Sequence, residues 1–494
     1  MPSAAPARDR WGVLPAALES ELKSGRIPKE QVCLGCAAKA DLVRVVYPAL
    51  KKLKREIPAR SPVRFEPRDD VYVFETDGEV RLDRRTYPLS DLAALESLVA
   101  RDVRAIRAQG VVLLASFGAQ PLEEEFRSAM GAFLRGASET PSPLSVGKGH
   151  TIQISKTPGE RFLLADFLSF KAGGFFGVAN NDTISRVDPN LPHASWVAVF
   201  IALNNALNDL FLNGVWKGIE VHPTFDSPDP SDLPRIREAF ERYAERMRPI
   251  GLEFRDAPPI GFGTKAIGAT AIGLSAREIP RNSNLREGQI ILATRPVGDL
   301  APLTEVLIRQ ASLEDASAFE GLRRRVLSEM LLPNVEAAQI IESHLPMKGE
   351  PFDSARHVTC ARDMSGPGLL ALEELAEDSG VDIYLHDVCF HDDRLADTPM
   401  DNPTSGTNGA ILLAADEGLH ERLARSLAAA GCRPWIAGRV LGRTDSPSIE
   451  ENERLRRFCF LRASSRPFFS RARFVPARGV PSLPAGLVED ASAV

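Results

Sequence analysis

Cys33, Cys36 and Lys39 fall within the run Val32-Cys33-Leu34-Gly35-Cys36-Ala37-Ala38-Lys39, just ahead of an apolar-periodic segment. A thiol at the entry to a helix, three residues before an ammonium, is set for a lowered pKa, because the helix N-terminus and the lysine charge both favour thiolate. A packed cysteine beside a solvated lysine fits the same spacing. One Cys-x-x-Cys has too few ligands for a structural zinc, and no second pair follows it. A thioredoxin-like motif needs another strand–helix context.

Four aspartates stand next to small residues at the ends of expected elements: Asp70, Asp182, Asp209 and Asp363. Asp209 sits on an otherwise apolar helical pattern, Asn204-Asn205-Ala206-Leu207-Asn208-Asp209. A carboxylate there is costly to bury unless it is paired or binds a cation. Hard cations such as Mg²⁺ take oxygen ligands, usually one or two carboxylates with phosphates and water. A spread set of aspartates therefore suits a nucleotide–metal site. On spacing alone the plainer alternative is favoured, with Asp69, Asp70 and Asp77 as solvated turn residues and Asp363 capping a helix.

Two glycine-rich pieces, Ser365-Gly366-Pro367-Gly368 and Pro403-Thr404-Ser405-Gly406-Thr407-Asn408-Gly409, can bring backbone N–H groups to anionic oxygens. Taken alone, a plain tight turn is the favoured reading of each. Neither a Walker A pattern nor a G-x-G-x-x-G after a strand occurs, so P-loop and Rossmann readings lack support.

These residues need elements to hold them. Helical spacing predicts helices over residues 14–24, 40–55, 194–212 (closed by Gly214), 233–247 and 335–343. Strands are expected at Asp70–Phe74, Gly110–Ser116, Ile267–Leu274 and Ile290–Thr294. Residues 162–184 read as strands broken by Gly173, Gly174 and Gly177. Strand–helix–strand units follow around 368–379 and 411–430. A boundary at residue 286 divides an arm with the Cys/Lys loop (1–60) and an N-terminal ATP/metal-binding domain (61–285) from a C-terminal domain (286–445) and an extension (446–494).

The whole chain bounds the function. With 494 residues, two or three domains are expected. A net charge of −6 with intermixed signs argues against nucleic acid and against a polybasic membrane surface. The first ten residues lack an apolar core of signal type, and no apolar run is long enough to span a bilayer. A cytoplasmic, soluble protein is the expectation. Six cysteines in this length are not a disulfide framework, and Cys360, Cys389, Cys432 and Cys459 read as buried, inert thiols.

Taken in order, the motifs resemble those of selenophosphate synthetase (selenide, water dikinase), in the superfamily named after aminoimidazole ribonucleotide (AIR) synthetase. Gly35-Cys36-Ala37-Ala38-Lys39 resembles the family's Gly-Cys-Gly-Cys/Sec-Lys loop. Asp69-Asp70-Val71-Tyr72-Val73 resembles Asp-Asp-Ala-Ala-Val. Asn181-Asp182-Thr183 stands where the family has Thr-Thr-Asp, and the run from Asn205 to Phe211 is similar to Asn-Ala-Ile/Leu-Ser-Asp-Ile-Phe/Tyr. Gly288–Gly298 is similar to the strand and loop ending Leu-Thr-Lys-Pro-Leu-Gly. Asp363–Leu370 resembles Asp-Val-Thr-Gly-Phe-Gly-Leu-Leu, Asp401–Gly406 resembles Asp-Pro-Gln-Thr-Ser-Gly, and Ala437-Gly438-Arg439-Val440 resembles Ile-Gly-Arg/Glu-Val.

The resemblance implies an α+β, two-domain subunit whose N-terminal mixed-sheet domains pair in a homodimer, beside a C-terminal α/β sandwich. It implies catalytic roles for Cys36 and Lys39, and ATP bound through Lys39, Asp70, Asp182, Asn205 and Asp209. Mg²⁺, with K⁺ as a further candidate, would be held by Asp70, Asp182, Asp209 and Asp363. The family's reaction converts ATP, selenide and water to selenophosphate, AMP and phosphate. The sequence departs from the pattern in five places. Ala38 replaces the second Cys/Sec, Arg295 replaces the motif lysine, and the Gly-Gly-His-Ser segment is missing. The Asp363–Asp401 interval is short and lacks the family's Gly-Thr-x-x-Asn motif. A large insertion occupies about residues 80–175. Three functions follow: a chalcogen-phosphate synthetase, a superfamily kinase or ligase acting on an oxygen of a small metabolite, or a non-catalytic nucleotide-binding partner.

Overall fold

The computed structural model describes residues 168–451, apart from 185, 186, 189, 262, 264, 265, 281–284, 312–314, 398–402 and 408, together with short strand segments before 168 and at Ala472–Arg473. Cys33, Cys36, Lys39 and Asp70, the expected helices over 14–24 and 40–55, the strands at 70–74 and 110–116, and Asp401 lie outside the described residues.

The chain is mixed α+β, built on two sheets. The first has the strand order β4-β3-β5-β2-β1, from β1 (Leu168–Ala172), β2 (Phe175–Ile184), β3 (Glu220–Asp226), β4 (Glu253–Phe254) and β5 (Ala266–Ser275). β1 and β2 form a hairpin over Gly173 and Gly174, so the last residues of the expected insertion belong to this sheet. Gly177 does not break β2 as the sequence suggests. It pairs with both Phe170 and Leu274 inside the ladder, where neighbouring strands satisfy its backbone.

Helix α1 (Trp196–Phe211) packs against β2 and β5. Ser195 caps it, its hydroxyl accepting from Val197 N at 3.2 Å. Gly214, at φ 70°, follows its end, as the sequence predicts. Every residue of α1 except Trp196 is buried. A helix this apolar belongs in the interior even with Asn204, Asn205, Asn208 and Asp209 on it, and this one has further helices on its other side. α2 (Asp232–Met247) covers it from within the first layer; α4 (Ser317–Met330) and α5 (Val335–Ser343) reach it from the second.

The second sheet has the order β7-β9-β6-β10-β8-β11, from β6 (Ile290–Ala293), β7 (Cys360–Asp363), β8 (Val381–Leu385), β9 (Ile411–Ala415), β10 (Trp435–Arg443) and β11 (Ile449–Glu451). All pairings are antiparallel except β8 with β11. β6 and β9 are continuous apolar runs buried throughout, as central strands covered on both faces must be. α6 (Leu370–Ser379) and α7 (Glu417–Ala429) pack on this sheet, and α3 (Leu300–Ala311) packs on α4. One hydrophobic cluster runs from Val178 through Leu203 and Val326 to Leu413 and Val440. Each fully buried Leu, Ile or Phe in it contributes about 1.5–3 kcal/mol. No helix among the described residues is long and apolar enough to cross a membrane.

Candidate functional site

Helix α1 carries Asn205, Asn208 and Asp209 at spacings of three and four residues, so the three share one face. All three are buried. The Asn205 Nδ2 donates to Asp182 Oδ2 on β2 of the first sheet. The Asn208 Nδ2 donates to Asp363 Oδ1, 2.6 Å away, at the end of β7 of the second sheet. One helical face therefore joins a carboxylate from each sheet.

Strand β5 must come very close for Asp182 to lie where it does. Asp182 pairs across the ladder with Ala269, and a Cβ on the adjacent Gly268 would stand 1.9 Å from the Asp182 carbonyl oxygen. Only glycine fits there. Asp363 is set by its own turn, where Oδ1 also accepts from Ser365 N at 3.0 Å. It is not the helix cap that spacing alone favoured: α6 begins seven residues later, with Leu369 in the cap position.

Beyond Asn208 the contacts continue in one direction. Asn334, just before α5, donates from Nδ2 to Asn208 Oδ1 at 2.5 Å and to Gly409 O at 3.2 Å. Its own Oδ1 accepts from Arg295 Nη2. Guanidinium, amide, amide and carboxylate thus stand head to tail, with the positive end at Arg295 and the negative end at Asp363. Each dipole reinforces the next, and the order fixes both amide orientations. Arg295 also donates to Glu329 O at 3.2 Å, and its carbonyl is held by Trp435 Nε1 at 2.8 Å.

A small cavity of about 60 Å³ adjoins Arg295 and Asn334, with Glu329, Glu336, Cys432 and Arg433 among its walls. Burial pushes the Cys432 thiol up to about 11. Burial also raises Cys389; of the four thiols expected to be buried, Cys360 is buried, Cys389 and Cys432 are half-buried, and Cys459 lies outside the described residues.

The donor set around α1 is all oxygen and amide, with carboxylates from Asp182, Asp209 and Asp363, and this chemistry fits a hard cation such as Mg²⁺. Among the described residues, no three His, Cys, Asp or Glu side chains are grouped to hold a metal ion. These aspartates could supply one or two ligands each to cations completed by phosphate oxygens, not a closed protein cage. Asp182 and Asp363 meet α1 at Asn205 and Asn208, while Asp209 is buried on α1 itself, its carbonyl accepting from Asn213 Nδ2. Sequence reasoning did not single out Asn208 and Asn334. Asn208 carried a usable signal, a second amide three residues after Asn205 on an apolar helix; Asn334, in a Pro-Asn turn, carried none.

Residues 337–448 match the family described as AIR synthase related protein, C-terminal domain. No curated protein matches the chain. Among solved structures, tt0281 from Thermus thermophilus is 14% identical, with 58% of this chain and 89% of that one covered and a TM-score of 0.45. Thiamine-monophosphate kinase from Stenotrophomonas maltophilia is 16% identical, with 66% and 96% covered and a TM-score of 0.43. HypE of E. coli, a hydrogenase maturation protein, is 16% identical, with 51% and 76% covered and a TM-score of 0.36. The family match supports the AIR synthase-related superfamily over residues 337–448. It does not single out selenophosphate synthetase.

Proposed function

We propose that the chain is an ATP-dependent phosphotransferase of the AIR synthase-related superfamily. Its finer assignment is synthesis of selenophosphate or thiophosphate from ATP, a chalcogenide and water, with AMP and phosphate as products. The observation that carries the reading is the single face of α1, where Asn205 and Asn208 hold carboxylates from the two sheets. Such a seam collects oxygen ligands in a buried place, as charged phosphates require.

In this reading, Asp182, Asp209 and Asp363, with Asp70, would hold Mg²⁺, whose chemistry when bound is neutralisation of phosphate charge. The protein's contribution is positioning and electrostatics. Asn205 orients Asp182, Asn208 orients Asp363, and the amide chain from Arg295 keeps Asn208 from rotating. Lys39 supplies further positive charge at the phosphates, and Cys36 handles the chalcogen. ATP, the chalcogenide and a second copy of the chain are the proposed partners, and the cytoplasm the proposed compartment. The short Asp363–Asp401 interval and the missing Gly-Gly-His-Ser segment favour a second reading, in which the acceptor is an oxygen of a small metabolite.

Anaerobic ³¹P NMR of the full chain with ATP, Mg²⁺ and K⁺, adding selenide and then sulfide, tests the proposal. AMP, phosphate and a new chalcogen–phosphate resonance are expected. ADP alone selects the second reading, and ATP left intact with either anion removes the dikinase assignment.

A further inference from the structure

Outside the Asn–Asp seam, the second layer buries another group of charges that the proposed chemistry does not use. His391 has no exposed side-chain surface. Its Nε2 lies 2.6 Å from Asp299 Oδ1, and its Nδ1 lies 3.4 Å from Glu329 Oε2 and 3.3 Å from Arg433 Nη2. Arg433 in turn donates to both carboxylate oxygens of Glu329. A histidine held at both ring nitrogens has one orientation, and the backbone fixes it further: His391 N donates to Val297 O at 3.3 Å, and Val297 N to Cys389 O at 2.9 Å.

Both flanks of this histidine lead to Asp363. On one flank, Asp299 presses on the turn that carries Ser405, Gly406 and Gly409. A Cβ on Gly406 would lie 2.5 Å from Asp299 Oδ2, and Leu300 N donates to Ser405 O at 3.2 Å. That turn grips the residues after Asp363. Gly366 N donates to Gly406 O at 2.7 Å, and Gly409 N donates to Ser365 Oγ at 3.1 Å. Ser365 N then donates to Asp363. On the other flank, the Glu329 carbonyl takes a hydrogen bond from Arg295, which starts the amide chain through Asn334 and Asn208 to Asp363. The two routes close a ring with His391 opposite Asp363.

We propose that His391 is a positioning residue for Asp363, acting through Asp299 and the Gly406 turn on one side and through Glu329, Arg295 and Asn334 on the other. The ligand-binding consequence rests on the phosphotransferase reading; the mechanical coupling does not. Packed side chains and hydrogen-bond networks carry such coupling, because close-packed interiors transmit strain.

The test uses the full chain and the variants His391→Asn, Asp363→Asn and their combination, with Arg433→Gln as a second probe. Arg433 is about half exposed, so its variant removes one arm of the cluster without emptying the core. Hydrogen exchange read by peptide mass spectrometry decides the coupling. His391→Asn should speed exchange about tenfold in the peptides spanning 365–368 and 405–410 while leaving α1 unchanged, and Arg433→Gln should give a weaker version of the same pattern. Unchanged exchange, or a uniform rise across the chain, would overturn the proposal. Calorimetric titration with Mg²⁺·ATP decides the consequence. His391→Asn should weaken binding about tenfold in the native background and not further when Asp363 is already Asn. Additive losses would show that His391 acts elsewhere. A native protein that does not bind Mg²⁺·ATP sinks the phosphotransferase reading, and the exchange pattern still decides the coupling.

Discussion

Asn208 and Asp363 lie 155 residues apart in the chain and meet at 2.6 Å, an amide from the helix of one layer on a carboxylate from the edge of the other. The contact helps satisfy that buried carboxylate, alongside Ser365 N, which donates to the same oxygen. Asn208→Leu keeps the branched heavy-atom skeleton and removes both the donor to Asp363 and the acceptor for Asn334. We expect it to destabilise the chain by about 1–3 kcal/mol, the cost of stripping a partner from a buried polar group, as read by urea unfolding. Asn208→Asp sets two carboxylates face to face, and its melting temperature should rise more with added Mg²⁺ than that of the native chain. An equal response to Mg²⁺ in both proteins would count against a cation at this seam.

Gly268 offers a test of the first sheet alone. Its would-be Cβ overlaps the Asp182 backbone, not a movable side-chain end, so strand β5 cannot relieve the contact without leaving β2. Gly268→Ala should cost about 3 kcal/mol, the upper part of the usual overpacking range. It should also weaken Mg²⁺·nucleotide binding through Asp182. Calorimetry and urea titration on the same preparation would show both effects; a stable variant with native affinity would mean that the strands tolerate separation there.

Much of the scaffold was legible because its signals are local. The apolar run 196–211 with Ser195 before it and Gly214 after it specifies α1 within two residues, and Val335–Ser343 was read at its observed bounds. The aspartates stood out because carboxylates in apolar surroundings are costly. What sequence could not supply was pairing at long range. Nothing local links Asn208 to Asp363 or Asn334 to Arg295, since those contacts exist only once α1 is packed between the layers. His391 and Asp299 were missed for the same reason: each sits in an ordinary loop sequence, and their 92-residue separation hides the contact. Strand β3, with the polar pattern Glu220-Val221-His222-Pro223, lacked the β-branched run that marks a strand and is held by its neighbours instead.

Glu220 on β3 gives a pH prediction with a definite sign. Hydrogen bonds from Arg255, then from His222, hold its carboxyl down to about 2 from an ordinary 4.5. A depressed folded-state value means the ion pair contributes above about 4.5 and is lost as pH falls towards about 2. The melting temperatures of the native chain and Glu220→Gln should differ near neutral pH and converge across that window. Because the pair is exposed, the difference should also shrink in high salt. A gap that stays constant from about pH 6 to about pH 2 would show that Glu220 contributes through packing and not charge.

The thiols separate the proposed chemistry from incidental reactivity. Cys432 lines the small cavity beside Arg295 and Glu336, and burial outweighs the nearby guanidinium to leave its thiol near 11. At about pH 8 it is almost wholly protonated, so iodoacetamide should modify it about a hundredfold more slowly than an unperturbed cysteine, since only thiolate attacks. Cys36 carries the opposite expectation. If it handles a chalcogen beside Lys39, it should be the fastest-labelled cysteine in the chain, and Mg²⁺·ATP should alter its rate while leaving that of Cys432 unchanged. A timed labelling pulse with peptide mass spectrometry reads all six cysteines in one sample. Rapid labelling of Cys432 would mean that its cavity wall opens readily to solvent. A Cys36 no faster than a free thiol would remove the nucleophile from the chalcogen reading and move the reaction towards an oxygen acceptor.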